Sequence, residues 1–200
     1  VAIAAVLGLA YGCGGSGSGG VNPGGTATPA NPGIAEFLTL DLGALPAYAN
    51  ATFPVHYDAD LFRGKDNTPP DNPITDKGAT LGRVLFHDKR LSVNDAVSCA
   101  SCHLQPVGMG DSVRFSAGFE GAVTGAHSMR LGISRFYAPG SMCWDKRAPT
   151  LEFQTTQPIQ SPVEMGFDAA HGGIPALLTK LRTLPYYPEL FTLVYGDSAI

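Results

Sequence analysis

The spacing of apolar residues along the chain predicts helices joined by long loops. Three segments carry apolar side chains at the spacing of one helix face, and they begin near Thr75, at Pro175 and at about Pro188. A proline suits the first position of a helix, because the N–H of that residue would have no partner within the helix. The apolar positions of the three segments are Leu81, Val84 and Leu85; Ile174, Leu177, Leu178 and Leu181; and Leu190, Phe191 and Val194.

No stretch alternates apolar and polar residues as a half-buried strand would. Between the helical segments, residues 105–126 and 157–173 form connections rich in glycine and proline. Long loops inside a compact domain are usually functional, and a flat cofactor can supply the core around which they wrap. The pattern therefore predicts an all-α domain with long loops.

Residues 1–13 are interpreted as an export signal. The first ten residues are apolar and uncharged, too few to span a bilayer as a helix and of the length found in the core of a signal peptide. Neither an initiator Met nor a basic segment precedes them, so we expect the sequence to be a fragment that lacks its true start. Export predicts a periplasmic or cell-surface protein.

Cys13 ends the apolar run in a pattern that resembles a bacterial lipobox, in which signal peptidase cuts before a cysteine that receives lipid. The match is incomplete, because Ala10 and Tyr11 replace the usual leucine and small residue. The alternative is an ordinary secretory signal with an incidental cysteine. A lipidated Cys13 would hold the protein at a membrane surface, as an outer-membrane or cell-surface lipoprotein, rather than across the membrane.

Two segments separate the signal from the predicted domain. Residues 14–33 consist almost entirely of Gly, Ser, Pro, Thr, Ala and Asn, which bury too little surface to offset the entropy of ordering and so predict a flexible, disordered tether. Residues 34–72 are expected to dock on the domain that spans 73–200. The apolar residues suited to that docking are Phe37, Leu38, Leu40, Leu42 and Leu45.

The composition excludes one class of partner. The 200 residues suit one packed domain better than two. The formal net charge is -4, and the 13 Lys and Arg residues are spread singly along the chain. Because no basic stripe is present to neutralise phosphates, nucleic acid is not an expected partner.

Residues 99–103, with Cys99, Cys102 and His103, form the C-x-x-C-H pattern by which a c-type haem is attached. On a helix the two cysteines share one face, where their thiols can add to the haem vinyl groups, and the histidine then lies under the iron as an axial ligand. Three other interpretations are weaker. A redox dithiol is expected in a βαβ context, which the pattern does not show. A zinc site needs four ligands, and the only further cysteines are Cys13 and Cys143. A disulfide between cysteines separated by two residues is strained.

The ligand on the other side of the iron decides the function. A Met or His there would make the protein an electron carrier, whereas an open position would let the iron bind a peroxide. On composition alone, the candidates are Met109, Met129, Met142, Met165 and His127.

Four blocks around the motif resemble the N-terminal half of the bacterial di-haem cytochrome c peroxidase family, which also includes the di-haem enzyme that matures the quinone of methylamine dehydrogenase. The blocks are LGRVLFHDKRLS (81–92), VSCASCH (97–103), WDKRAPTLEFQ (144–154) and PIQSPVEMG (158–166). The resemblance implies a cytochrome c-like domain that holds the peroxidatic haem, followed by a second domain with an electron-donating haem. No second C-x-x-C-H occurs in the sequence, so we expect that the second haem domain is missing from it. A mono-haem protein is the alternative.

The resemblance also implies two catalytic residues. Glu164 stands at the position of the family's distal glutamate, and Gln154 at that of its companion glutamine. One carboxylate near both oxygens of a peroxide can take a proton from one and return it to the other. An amide beside it can orient the peroxide and stabilise developing charge. Without the surrounding blocks, the two residues would be interpreted as a solvated loop glutamate and a helix-surface glutamine.

Trp144 matches the family's tryptophan between the two haems, which implies a route for electrons; on its own it would be interpreted as a core residue. Arg130 matches a family arginine before an Asn-x-Pro turn only in part, because Leu131-Gly132 departs from that pattern. Cys143 is interpreted as a small buried residue without chemistry.

The sequence departs from many family members in one informative place. These members carry a histidine just after a Ser-x-Gly turn, and it blocks the iron in the resting enzyme. Here residues 116–118 form that turn, and Phe119, which cannot ligate iron, follows them. We therefore expect an open or water-bound distal site, with His127 as the alternative ligand.

Reduction of hydrogen peroxide to water is the function that the resemblance implies, with electrons from a small cytochrome c or cupredoxin passing through the second haem and Trp144. One alternative is a di-haem oxidase that modifies a Tyr or Trp of a partner protein, and another is a non-catalytic c-type electron carrier. Family members are commonly homodimers with calcium near the domain interface. No compact acidic loop in this sequence places that ion.

Overall fold

The computed structural model describes residues 34, 36–57, 62, 64–132, 134–137 and 141–200. The predicted signal with Cys13 and the predicted tether 14–33 lie outside these residues. None of the helices in the described part of the chain has the length and apolar character of a membrane span.

The described residues form five α-helices and six short 3-10 helices, without a strand. The prediction of an all-α fold with long loops is therefore confirmed. The α-helices are α1 (Asp76–His87), α2 (Cys99–Cys102), α3 (Leu151–Gln160), α4 (Gly173–Arg182) and α5 (Tyr186–Tyr195). The 3-10 helices are Val55–Tyr57, Lys89–Leu91, Gln105–Val107, Phe119–Gly121, Ser134–Phe136 and Ala169–His171.

Helix α1 begins where its sequence predicts. Thr75 has extended backbone and caps the helix, because its hydroxyl accepts a hydrogen bond of 3.0 Å from the Gly78 N–H. Asp76 follows in the first turn, where a carboxylate interacts favourably with the helix dipole. Leu81 and Leu85, one helical turn apart, are fully buried, so the apolar face identified in the sequence is the face that packs.

The other helices show where apolar spacing is a weaker guide. Helix α3 is absent from the predicted set, because few of its side chains are buried and its sequence contains Pro158. Helix α4 begins at Gly173, so Pro175 is its third residue rather than its first, and α5 begins at Tyr186, two residues before the expected start. A proline is tolerated throughout the first turn, since those N–H groups have no partner within the helix.

The core lies between α1, α4 and α5, with α2 packed against α1 and α3 against α4. Its most deeply buried side chains include those of Leu177, Leu181, Leu190 and Phe191. The segment that precedes α1 contributes to it: Ile34 is buried, and three leucines pack against the core while Phe37 remains half-exposed. These leucines are Leu38, Leu40 and Leu42.

A buried carboxylate links the end of α1 to the start of α5. One Asp88 side-chain oxygen, Oδ2, accepts hydrogen bonds from the hydroxyls of Tyr186 and Tyr187, at 2.7 and 2.9 Å, and the other pairs with Arg90 at 2.9 Å. The Arg90 guanidinium also lies over the Tyr186 ring, 4.8 Å from its centroid. Burial alone would raise the pKa of Asp88, but these hydrogen bonds outweigh it and lower the pKa below the ordinary value.

A second link joins the loop after α2 to the turn after α3. The Phe119 N–H donates to the Val163 carbonyl at 2.9 Å, and the Gly118 backbone lies directly against the same group. A Cβ on Gly118 would stand 1.9 Å from the Val163 oxygen, so only glycine permits the approach. Behind this contact, the buried Phe119 ring fills the space over Gly166, whose positive φ of 85° also favours glycine.

We expect replacement of Asp88 by Asn to lower the free energy of unfolding at neutral pH by about 2 kcal/mol, because charged hydrogen bonds of a buried group are lost. The pKa of Asp88 is lower in the folded than in the unfolded chain. The stability that it contributes is therefore present above the ordinary aspartate pKa and lost as the pH falls through the lowered one. Chemical denaturation across pH 2 to 7 measures both effects. Asp71→Asn, at an exposed site, is the control, and equal curves for the two variants would contradict the prediction.

We expect Gly118→Ala to destabilise the protein by about 2 kcal/mol or more, since the added methyl overlaps the Val163 carbonyl and the two loops must separate. Gly125→Ala is the matched control, because a Cβ there meets nothing within 4 Å. Thermal unfolding followed by circular dichroism compares the two. A Gly118→Ala protein as stable as the Gly125→Ala protein would refute the close contact.

Candidate active site

Helix α2 is a single turn that presents the two motif cysteines. Its start is held by Ser98 and Ser101, whose hydroxyls lie 3.2 Å apart, and the Ser98 N–H donates to the Ser101 hydroxyl at 3.0 Å. Cys99 and Cys102 therefore stand one helical turn apart with free thiols. His103 ends the helix and donates its N–H to the Cys99 carbonyl at 3.0 Å.

The His103 ring is oriented by a backbone carbonyl. Its Nδ1 lies 2.8 Å from the Met109 oxygen, and since a carbonyl only accepts, Nδ1 must carry the proton. In the neutral ring, Nε2 then keeps the lone pair with which imidazole binds a metal. Burial lowers the pKa of His103 and outweighs the hydrogen bonds to the Met109 and Met129 carbonyls, which raise it. The neutral form that binds metal is therefore favoured.

The two motif cysteines are half-buried. Burial raises the pKa of Cys99 to about 12 and also raises the pKa of Cys102, which keeps both sulfurs protonated. The Ser116 hydroxyl interacts with Cys102 and donates to the Asp111 carboxylate at 2.6 Å. Ser116 is fully buried and also lies 3.1 Å from the Ser128 hydroxyl. In the sequence, Ser116 stands out only as the first residue of the Ser-x-Gly turn. No pattern in the sequence indicates this hydrogen-bond network.

A cavity of about 60 Å³ brings the motif together with the two residues assigned by resemblance. Cys99, Cys102, His103, Gln154 and Glu164 all line it. We refer to it as the haem cavity after these donors, since at this volume it is the point where they meet and not the full space of a haem. Its remaining lining residues are Val97, Ser98, Thr124, Ser128, Leu131, Thr155, Pro158 and Met165.

Gln154 and Glu164 reach the haem cavity from different elements. Gln154 lies in the first turn of α3, where Thr150 caps the helix. Glu164 lies in the turn after α3, and its N–H donates to both the Ser161 carbonyl and hydroxyl at 3.2 Å. Both side chains are half-buried, and neither has a hydrogen-bond partner within the described residues. The Glu164 carboxylate is close enough to raise the pKa of Cys99 and Cys102, so its charge acts on the motif.

The structure separates the candidate sixth ligands. Met165 is buried and lines the haem cavity, whereas Met142 lines another cavity. His127 is exposed, does not line the haem cavity, and has its Nδ1 3.0 Å from the Val113 carbonyl. Phe119 is buried against His171, with ring centroids 5.4 Å apart, and it does not line the haem cavity either.

Trp144 and Cys143 lie outside the core. The Trp144 side chain is 65% exposed, and its indole N–H donates to the His127 carbonyl at 2.8 Å. A tryptophan this exposed is not a core residue of the described chain. Cys143 is half-buried with a positive φ of 72°, so its interpretation as a buried residue is wrong: it lies in a tight turn rather than in the packed interior. Arg130 is exposed beside Gly108.

The donors in the haem cavity fit a c-type haem. Two thiols on one helical turn match its two vinyl groups, and the His103 ring, held through Nδ1, has Nε2 left for the iron. The half-buried carboxylate and amide that line the same cavity are groups that a bound peroxide could use.

Comparison with known proteins agrees with this donor set. The family model described as "Di-haem cytochrome c peroxidase" matches residues 76–200. The chain is 35% identical to the methylamine utilization protein MauG of Methylophilus methylotrophus, over 70% of this chain and 40% of that protein. It is 32% identical to the cytochrome c peroxidase Ccp of Escherichia coli K12, over 70% of this chain and 31% of that protein.

A solved structure agrees as well. The crystal structure of a MauG-like protein associated with microbial copper homeostasis superposes with a TM-score of 0.61 at 30% identity, over 72% of this chain and 41% of that one. The chain thus spans between about 31% and 41% of the length of the relatives that it matches here. With the family model matched along more than half of its length, this chain belongs to the di-haem cytochrome c peroxidase family, whose members carry c-type haem.

Proposed function

We propose that this chain forms the peroxide-reducing haem domain of a cytochrome c peroxidase. The observation that carries the proposal is the shared cavity: Glu164 and Gln154 line the same space as Cys99, Cys102 and His103. The overall reaction takes one hydrogen peroxide, two protons and two electrons to two waters. The family relationship supports a peroxidase, and the particular roles below are our assignment.

Three residues hold the cofactor in this proposal. The Cys99 and Cys102 sulfurs would hold haem c through thioether bonds, and the His103 Nε2 would bind its iron. When bound, the haem supplies the electron transfer that cleaves the peroxide O–O bond. The Met109 carbonyl keeps the imidazole in the tautomer that this requires.

Glu164 moves the proton. Its carboxylate accepts a proton from the first peroxide oxygen and donates it to the second, which leaves as water. Gln154 orients the peroxide and donates an amide N–H to the oxygen on which charge develops. Neither side chain is committed to a hydrogen bond within the described residues, so both are available for these contacts.

Electrons enter from outside this domain. We assign Trp144, whose exposed indole is fixed by the His127 carbonyl, as the relay toward a second haem domain. A small cytochrome c or cupredoxin is the proposed donor, and the exported protein would meet it in the periplasm. Lipid attachment at Cys13 would add a membrane anchor.

Oxidation of a partner protein is the second candidate function. The 35% identity to a methylamine utilization protein MauG and the similarity to a MauG-like structure favour it. In that case the exposed Trp144 would receive electrons from a Tyr or Trp of the partner rather than from a second redox protein. A non-catalytic electron carrier, by contrast, has no use for the half-buried Glu164.

We expect haem to remain on the polypeptide after denaturing extraction, because both thioethers are covalent. Cys99→Ala and Cys102→Ala should each leave a single thioether on the haem of this domain, and the double variant should lose that one haem. Cys143→Ala is the matched control and should keep the full haem mass. Intact-mass spectrometry of the exported full-length protein makes the comparison. Loss of haem from Cys143→Ala, or a double variant that keeps the same haem mass as that control, would contradict the assignment.

We expect Glu164→Gln to lower peroxide turnover by about 100-fold or more, since an amide cannot shuttle a proton. Haem content should be unchanged, because Glu164 binds no part of the haem covalently. Glu120→Gln, at an exposed site, is the control. Oxidation of a reduced small cytochrome c by peroxide gives the rate. Full activity of Glu164→Gln would exclude the proposed proton transfer, and absence of peroxide turnover in the unmodified protein would favour the electron carrier.

We expect the ferric, as-isolated protein to be high-spin at this haem, because neither Phe119 nor the exposed His127 can supply a strong sixth ligand from its position. Electron paramagnetic resonance and the electronic spectrum test this. His127→Ala should leave both spectra unchanged. A purely low-spin signature at this haem would show a sixth protein ligand, and Met165→Leu would then identify or exclude Met165 as its source.

A further inference from the structure

A second cavity, of about 400 Å³, takes no part in the proposed mechanism. Five aromatic residues contribute to its wall, and we refer to it as the aromatic cavity. This volume lies within the usual range of small-molecule sites and suits a ligand of one ring. The rings that line it are those of Tyr48, Phe53, His56, Tyr57 and Phe136.

The rings of the aromatic cavity hold one another in place. Phe136 packs edge-on against Phe53, with centroids 5.3 Å apart, and lies 5.4 Å from Tyr57. The Arg135 guanidinium lies over Phe53 and Phe136 and pairs with Asp66 at 2.7 Å. Because Asp66 neutralises this cation, the wall offers aromatic faces rather than a site for a simple anion.

Polar side chains also line the aromatic cavity. Glu152, in the first turn of α3, lines it, and its Oε1 accepts a hydrogen bond of 3.0 Å from the Asn72 amide. A carboxylate has about four acceptor positions on two oxygens, so Glu152 can also accept from a bound hydroxyl. Aromatic rings and a hydrogen-bond acceptor in the same lining match a phenol, which combines a ring with one O–H donor.

The aromatic cavity adjoins the haem cavity. Leu131 lines the haem cavity, and the next residue, Gly132, lines the aromatic cavity. Glu152 and Gln154, two residues apart on α3, divide between the two cavities in the same way. A phenol in the aromatic cavity would therefore be separated from the haem cavity by helix α3 and by the backbone at residues 131–132.

We propose that the aromatic cavity binds a one-ring phenol that serves as a reductant for peroxide reduction. This deepens the proposed function and rests on it. Each phenol gives up one electron and its hydroxyl proton, so two phenols and one hydrogen peroxide yield two phenoxyl radicals and two waters. Glu152 orients the phenol through its hydroxyl, and the ring packs against Phe136.

Binding is tested first, with p-cresol as the probe and haem-loaded full-length protein, by saturation-transfer NMR. Phe136→Ala should weaken p-cresol binding about tenfold, because a ring contact and its burial are lost. Phe115→Ala, which removes an exposed ring outside both cavities, is the matched control. Glu152→Gln provides a second variant: it should weaken p-cresol but leave binding of toluene, which lacks the hydroxyl, unchanged. Absence of p-cresol binding, or equal affinity in all variants, overturns the proposal.

Turnover is tested second. Peroxide-dependent oxidation of p-cresol should require about tenfold more p-cresol in Phe136→Ala, while turnover with reduced small cytochrome c stays unchanged. A protein that turns over with the cytochrome but does not oxidise p-cresol overturns the reductant role and leaves the proposed function standing. A protein that fails to consume peroxide with the cytochrome and also with p-cresol overturns the proposed function. The reductant role then falls with it.

Discussion

The candidate active site depends on one close backbone contact, between Gly118 and the Val163 carbonyl. A single methyl group on Gly118 would stand 1.9 Å from that oxygen, so the two loops meet only because the residue has no side chain. The adjoining Phe119 N–H bonds to the same carbonyl at 2.9 Å. Glu164 directly follows Val163 in the chain. Its position beside the haem motif is therefore tied to the loop after α2 that contains Gly118.

The helical scaffold behind this contact is held by burial and by one ionised group. Asp88 accepts hydrogen bonds from two buried tyrosines and pairs with Arg90, which joins α1 to α5. Since α2 packs on α1, the same link positions the turn that carries the two motif cysteines.

Helix α3 connects the two cavities. Its first turn contributes Glu152 to the aromatic cavity and Gln154 to the haem cavity, although it buries few side chains of its own. Such a helix contributes little to the core and much to the two sites. Because so few of its side chains are buried, the spacing of its apolar residues does not indicate a helix, and its sequence also contains Pro158.

The sequence by itself determined the haem motif, the all-α class and the helix α1, because each follows from local spacing of residues: thiols one turn apart, apolar side chains on one face, a threonine cap. It indicated Glu164 and Gln154 only through resemblance, since a lone glutamate in a loop carries no local signal. Tertiary structure alone decided which side chains share a cavity, that Trp144 is exposed, that Cys143 lies in a tight turn, and that a second, aromatic cavity exists. These features arise from contacts between residues far apart in the chain, and local periodicity contains no information about such contacts.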